Sequence, residues 1–570
     1  MPTLPLLASL RAADAGPRRD DMVAGVITAI LLVPQAMAYA QLAGLPPQAG
    51  LVASIVPTVI YALFGSSRTL AVGPVAVAAL MVAHALQGYA GDDLSKWSAG
   101  AMILAAEGGA LLLIMRSLRL GALVHFVSHP VLYGFTTGAA ILIIISQIKY
   151  LVGVDLPAGA PWETLAPLLS QGGSISLVTV VFSVLTIVFL VLTRSPLVRL
   201  LTHLGMREPA AAMISRAAPL AVVLLSIVAV IGLPPEQTAG LAVVGEIASG
   251  IPLPDYRALL GADWVELAPS AMLIALVGYV ESIAVARVLA VRRRQKVDAD
   301  QELTALGLAN LGAAVTGAMP VAGGFSRSVV NFDAGARTQV AALVTAGLVA
   351  IVTLFFTGVF EPLPQAVLAA IIIIAVAQLI DWRSTREVFR YDRGDGASLI
   401  VTMIGVLVLG IEAGLLLGVL LAIALHLRRT SVPHVAVVGR VPGTEHFRNV
   451  NRHDVESTPG VLIVRVDESL YFANVAAVER IVEHALDSAL SQGPVHTLLL
   501  VMSAVSSIDA SAEEALVVWD EMLAARGITL HLSEVKGPVM DQLTASDFGH
   551  SIAGRVHLTT HQALQAIESR

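Results

Sequence analysis

Between two apolar runs, roughly 303–318 and 338–358, the chain reads Met319-Pro-Val-Ala-Gly-Gly-Phe-Ser-Arg-Ser-Val-Val-Asn-Phe-Asp333. Both flanking runs look like membrane spans. Pro320, Gly323 and Gly324 break any continuous helix between them. Ser326, Arg327 and Ser328 then open a new helical turn. Such a turn offers free N–H groups, the positive end of a helix dipole, two hydroxyls and a guanidinium, which are the parts of an anion site. Broken backbone at membrane depth is tolerated only where protein buries it or where it lines a wet cavity. Taken alone, the stretch is equally a re-entrant loop whose Arg327 anchors at the interface.

Other polar side chains stand inside apolar runs. Arg327 itself is a charge at membrane depth, which is expensive and normally functional; it contacts a substrate or pairs with a buried acid. Ser326 heads the new helix and either donates to an anion or caps that helix. Phe325 and Val75 are candidate apolar walls, with core packing the plainer role for Val75. Gln35 follows Pro34, whose ring frees a carbonyl, and a neutral amide can donate to an oxyanion whatever its charge. Tyr39 lies one turn on, on the same face, and either reaches the same cavity or anchors at the interface. Glu281 is the mechanistic clue. A carboxylate beside an anion repels it unless protonated, so protonation and anion binding favour each other and the group is a natural proton carrier. The alternative is a permanent ion pair with Arg327 or Arg287. Glu107 is a second intramembrane acid, neutralised across helices or facing a gate. Asp333 and Arg337, four apart, are expected to pair along one helix.

What must position these groups is a polytopic membrane protein. The 570 residues have a mean hydropathy of +0.79 and 14% charged residues, where a soluble chain carries about 25%. A net charge of −7 gives no sign of nucleic-acid binding. With no cysteine, disulfides, thiolate zinc sites and cysteine nucleophiles are excluded. No nucleophile–base pair, metal cluster or phosphate loop argues for an enzyme, and no cofactor is expected. The N-terminus is polar and bears Arg11, Arg18 and Arg19; the apolar run after it is too long for a signal-peptide core, so no cleavage is expected.

Apolar runs place fourteen spans near 21–43, 48–64, 74–88, 98–116, 121–146, 174–193, 214–232, 266–290, 303–318, 323–336, 338–358, 363–380, 396–410 and 412–427. The third and tenth are too short to cross alone. With the N-terminus inside, twenty-one Arg and Lys fall on the cytoplasmic side and only Lys96, Lys149 and Arg257 outside, as the positive-inside rule demands. Both termini are then cytoplasmic. The halves echo each other: Pro34 and Gly73-Pro74 in one, Glu281 and Gly323-Gly324 in the other. Interrupted segments in matching places mark inverted-repeat transporters. Seven spans per half is odd, so the halves are inverted and two half-helices meet head to head at the midplane. The expected domains are a cytoplasmic segment 1–20, a transmembrane domain 21–430, a linker 431–439 and a soluble α/β domain 440–570. The last alternates strands (461–466, 496–502, 528–532) with helices (475–490, 510–526, 536–543, 560–568).

Four motifs carry a resemblance. Val33-Pro-Gln-Ala-Met-Ala-Tyr-Ala-Gln-Leu-Ala-Gly-Leu-Pro-Pro47, Gly65-Ser-Ser-Arg-Thr-Leu-Ala-Val-Gly-Pro74, Glu281-Ser-Ile-Ala-Val-Ala-Arg287 and Gly323-Gly-Phe-Ser-Arg-Ser-Val-Val-Asn331 together resemble the sulfate permease (SulP) family. The C-terminal region is similar to the STAS module which that family carries, with Ile508-Asp-Ala-Ser511 at a helix start. The resemblance implies fourteen spans in a seven-plus-seven inverted repeat, a moving core domain, a gate domain and a homodimer. It places Arg327 on the tenth helix beside the substrate. The segment from Glu281 resembles that of proton–sulfate symporters. A sodium site would favour a hydroxyl one turn on, where Ala284 and Val285 stand instead. Ala510 replaces one hydroxyl of the usual Asp-Ser-Ser pattern, so capping by Asp509 or Ser511 is expected rather than phosphorylation. The implied activity is secondary active transport of an inorganic oxyanion across the inner (plasma) membrane, proton-coupled sulfate uptake being favoured. Bicarbonate or C4-dicarboxylate uptake, or anion exchange, are the alternatives on the same fold; a non-transporting sensor is a third class. The expected partners are the anion, a proton, the lipid bilayer and a second copy of the chain.

Overall fold

The computed structural model describes residue 6 and residues 18–91, 93–121, 128–154, 161–170, 175–234, 236–238, 240–247, 250, 254, 256–259 and 264–569. The chain divides into two compact units, residues 1–422 and 423–570.

The first unit is helical. It forms α1 (Arg18–Leu42), α2 (Pro47–Ala53), α3 (Val56–Phe64), the short strand β1 (Val72–Gly73), α4 (Ala76–Ala90), α5 (Leu94–Ser117), α6 (His129–Val152), α7 (Pro161–Ser170), α8 (Leu177–Leu192), α9 (Ser195–His203), α10 (Glu208–Arg216) and α11 (Ala218–Gly232). It continues with α12 (Trp264–Arg292), α13 (Ala299–Val315), β2 (Ala322–Gly323), α14 (Phe325–Asp333), α15 (Val340–Phe355), α16 (Gln365–Val376), α17 (Trp382–Tyr391), α18 (Arg393–Leu409) and α19 (Ile411–Ser431), whose later turns fall in the second unit. A helix stands at each of the fourteen apolar stretches, but among the described residues only seven helical runs are long and apolar enough to cross a membrane. The bent pair α8–α9, at 49°, makes an eighth if taken as one span. The others fall short for local reasons. α4 and α14 are cut by the Gly and Pro residues before them, and α13 opens on Asp300 and Glu302. Residues 122–127, in the expected fifth span, lie outside the described residues.

Asp333 and Arg337 do not pair. α14 ends at Asp333, and Gly335, with φ at +102°, turns the chain away, so the two never share a helix. Asp333 instead meets Arg216 at 3.0 Å and Arg337 meets Asp20 at 3.5 Å. The neighbouring Asp21 carboxylate accepts from the Arg337 and Thr338 amides and from Thr338 Oγ1, at 2.7, 3.0 and 2.7 Å, and so ties the start of α1 to the entry of α15.

The second unit is an α/β fold built from β3 (Val435–Arg440), β4 (Phe447–Asn449), β5 (Val461–Val466), α20 (Val475–Leu490), β6 (Thr497–Val501), α21 (Ala510–Ala525), β7 (Thr529–Ser533), α22 (Gly537–Thr544), α23 (Asp547–Ile552), β8 (Val556–His557) and α24 (Thr560–Glu568). The sheet order is β4-β3-β5-β6-β7-β8, antiparallel around β3 and parallel from β5 to β8. Alternate residues serve its two faces, as strand geometry requires. Leu498, Leu500, Leu530 and Leu532 pack under α20 to α23; Leu499, Val501 and Ile463 pack under α24. The sheet begins inside the expected linker 431–439. Ala436 and Val438 fill one face and Val435 and Val437 the other, so this short apolar run is a strand paired on both sides, with β4 and β5, rather than a tether. Asp509 caps α21, its carboxylate accepting from the Ala512 amide at 2.8 Å, while Ser511 is exposed.

Candidate functional site

Two irregular strands build the site. β1 and β2 pair antiparallel, Val72 opposite Gly323 and Gly73 opposite Ala322. A short helix leaves each strand directly, α4 after Val75 and α14 after Gly324, so the chain departs from the pair in opposite directions. Both helix N-termini therefore open beside one point. The strands sit at membrane depth and every exposed backbone group needs a partner. Side chains supply many of them. The Gly323 amide donates to Ser282 Oγ at 2.7 Å and the Val321 amide to Asn310 Oδ1 at 2.9 Å. Thr58 Oγ1 donates to the Val72 carbonyl at 2.9 Å, and Asn331 Nδ2 to the Thr69 carbonyl at 3.0 Å. Ser328 Oγ joins the two segments, accepting from the Ala71 amide at 2.9 Å and donating to the Gly324 carbonyl at 2.6 Å. Spacing along the sequence does not point to the two supports that join the halves, Asn331 to Thr69 and Ala71 to Ser328, because each acts across more than two hundred residues.

Arg327 is buried, only 2% exposed. Its Nη1 donates to the Pro74 carbonyl at 2.6 Å, which fixes the plane of the guanidinium. Nε and Nη2 are buried and meet no acceptor among the described residues. They form one edge of the guanidinium, the planar fork that matches an oxyanion. The fork lies against glycine backbone. A Cβ on Gly324 would stand 2.9 Å from Nη2 and 3.1 Å from Nε; one on Gly73 would stand 3.5 Å from Nη2. Gly324 thus breaks the helix and also leaves the guanidinium its seat.

Around this fork lies a cavity of about 50 Å³ lined by Gln35, Tyr39, Val75, Glu281, Phe325, Ser326 and Arg327. All seven side chains singled out from the sequence come to this one place, from α1, α4, α12 and α14. Gln35 and Tyr39 are buried on one face of α1. Phe325 remains 48% exposed and walls the cavity. Ser326 does not cap its helix: the N-cap is Gly324, with no side-chain cap bond. Among the described residues, Glu281 makes no ion pair within 4.0 Å, with Arg327 or Arg287 or any other cation. The sequence reading missed the opposite wall, Ala375, Val376 and Leu379, where α16 ends. Apolar residues at a helix C-terminus carry no chemical signal that would mark them. Glu107 lies in α5 outside the cavity lining, with Oε2 buried and unpartnered by protein.

Taken together, crossed half-helices, a buried arginine and a helical membrane unit followed by a small α/β domain define a membrane transporter with a STAS-type module. Residues 19–403 match the sulfate permease family and residues 452–563 the STAS domain. A probable sulfate transporter 4.2 of Arabidopsis thaliana is 37% identical over 532 residues, covering 91% of this chain and 76% of its own length. A probable sulfate transporter of Mycobacterium tuberculosis is 34% identical, covering 97% of this chain and 96% of its own. The chain belongs to the sulfate permease family. Its fold follows murine solute carrier 26 family member A9, an anion transporter solved in the inward-facing state, with a TM-score of 0.89 at 23% identity, over 100% of this chain and 94% of that one. The transmembrane domain of a cyanobacterial bicarbonate transporter matches with a TM-score of 0.59 at 22% identity, over 70% of this chain and 97% of its own.

Proposed function

We propose that this chain imports sulfate across the inner membrane, coupled to protons. The observation that carries the reading is the Arg327 fork: two charge-assisted donors held at membrane depth with no protein acceptor. Burying a cation in that state is costly, and an anionic cargo relieves the cost on each loading. The N-termini of α4 and α14 add partial positive charge at the same point. Cargo size supports a small oxyanion. The cavity of about 50 Å³ exceeds the roughly 10–15 Å³ that one water needs and has room for a small oxyanion. The named activities of the Arabidopsis and Mycobacterium relatives point to sulfate.

Glu281 carries the proton in this reading. It shares the cavity with Arg327 without an ion pair, so it must be neutralised when a dianion enters. Ala284 and Val285, one turn on, offer no hydroxyl to sodium. The charge distribution supports fourteen crossings with both termini in the cytoplasm, arranged as two inverted sevens, and the family supports a homodimer.

Uptake of labelled sulfate, bicarbonate and succinate into proteoliposomes, with and without proton and sodium gradients, tests the substrate and the coupling. Glu281→Gln tests the carrier. It is expected to exchange labelled for unlabelled sulfate but to lose accumulation driven by an acid-outside gradient. Wild-type proton-driven uptake by Glu281→Gln would refute the proton-carrier role; loss of exchange as well, with folding intact, would make the residue structural.

A further inference from the structure

α17 has no role in the anion cavity, yet its surface is strongly sorted. It follows the apolar α16 directly and hands the chain to α18 at Asp392, which ends one helix and caps the next, accepting from the Gly394 amide at 2.7 Å. Three exposed arginines are costly in hydrocarbon, so a helix that bears them between the apolar α16 and α18 belongs at its edge. At about 100° per residue, its circumference reads in order Val388, Thr385, Phe389, Trp382, Arg386, Arg390, Arg383, Glu387, Tyr391 and Ser384, with the exposed Tyr391, the last residue of the helix, outside the aromatic strip. Thr385 is buried and Val388 half-buried against the protein. Next come two exposed aromatic rings, Phe389 and Trp382, the latter 62% exposed. After them come three exposed arginines. The one acid on this helix, Glu387, is at the far edge and already engaged, its Oε1 accepting from Arg383 Nε at 3.0 Å. Asp381 is equally occupied, capping the helix through the Arg383 and Ser384 amides, each at 3.0 Å.

Protein side, aromatic strip and arginine strip lie in that sequence around one axis. This is the order a helix needs to lie in the plane of a membrane, with its rings at the acyl boundary and its guanidiniums among phosphates. We propose that α17 is a docking surface for anionic phospholipid headgroups, seated by Trp382 and Phe389 and selected by Arg383, Arg386 and Arg390. A zwitterionic surface would satisfy the rings but leaves the arginine strip without its complement. Each arginine near an anionic surface contributes about 1 kcal/mol, so each one engaged enriches anionic lipid locally by roughly fivefold.

The chain has no cysteine, so a single Trp382→Cys variant of the full-length protein takes one fluorophore on this face. The label is followed in nanodiscs doped with brominated phosphatidylglycerol or, at the same mole fraction, brominated phosphatidylcholine. The readout is independent of any transported substrate. Brominated phosphatidylglycerol is expected to quench several-fold more strongly. High salt should erase the difference. So should Arg383→Gln, Arg386→Gln and Arg390→Gln combined, whereas the three lysine replacements should keep it. Equal quenching by both lipids, unaffected by removing the arginines, overturns the proposal. No quenching by either would also overturn it, because the face would then meet water or protein.

Discussion

Two buried ionisable side chains in the helical unit are treated in opposite ways. Glu302, wholly buried in the first turn of α13, has every need met. Its carboxylate accepts from Tyr61 Oη at 2.7 Å, from the Ser66 amide and hydroxyl at 2.8 and 2.7 Å, and from the Ser67 amide at 3.2 Å. It also sits at the positive end of its helix. Arg327, equally buried, has one donor engaged and a two-donor edge facing a cavity. A buried charge that is part of the scaffold is closed off by protein; in the proposed function, one kept for a cargo is held in plane and left incomplete. The contrast separates the two roles on geometry, where burial alone does not.

That contrast can be broken in order of effect. Glu302→Ala leaves two hydroxyl and two amide donors without their acceptor and is expected to cost about 3–5 kcal/mol of folding stability. A strongly lowered unfolding temperature of the purified protein is the readout, and a near-neutral result would remove Glu302 from the scaffold. Arg327→Ala should behave in reverse. Sulfate affinity falls by about 2–4 kcal/mol, roughly 30- to 1,000-fold, while the unfolding temperature without ligand holds or rises, because an incompletely partnered buried cation has been removed. Arg327→Lys should recover little of the affinity, since an ammonium lacks the planar fork.

The glycines sharpen the comparison. Gly324→Ala puts a methyl 2.9 Å from Arg327 Nη2 and must displace the fork; it should weaken sulfate binding by roughly tenfold, about 1–2 kcal/mol, with the charge intact. Gly73→Ala meets the same atom at 3.5 Å, ordinary contact, and should change affinity by less than about twofold. Titration of both variants checks this, and equal effects would mean that the guanidinium is not seated where these glycines permit. The smallest effect on sulfate affinity belongs to the other unit. Asp509→Ala removes the cap of α21 and should cost the soluble domain about 1 kcal/mol with sulfate affinity unchanged.

Much of the site was readable from residue type because function there violates ordinary membrane composition. Arg327, Glu281 and Gln35 stand out in apolar runs, and Gly323, Gly324 and Pro34 stand out in helices. What was not readable depends on partners that only the folded chain supplies. Ser282 and Asn310 look like tolerated small polar residues until β2 is placed against them. Asp333 and Arg337 satisfy a helical spacing rule in a segment where the helix has already ended. Helix positions followed hydropathy, and the short half-helices α4 and α14 were legible from the Gly and Pro residues before them, whereas the 49° bend between α8 and α9 was not. In the soluble unit, β3 escaped notice because a strand of six residues beside a membrane helix reads as a tether until β5 pairs with it.

The central claim is that the free edge of Arg327 receives the anion. Ligand-induced stabilisation tests it most directly, because a ligand that binds only the folded state raises the unfolding temperature in proportion to the logarithm of its saturation. Sulfate titrated against the wild-type protein and against Arg327→Ala, at constant ionic strength, is expected to stabilise the first and leave the second unmoved. An equal sulfate-dependent rise in a folded Arg327→Ala protein would contradict the account and leave the helix N-termini and hydroxyls as the whole of the site.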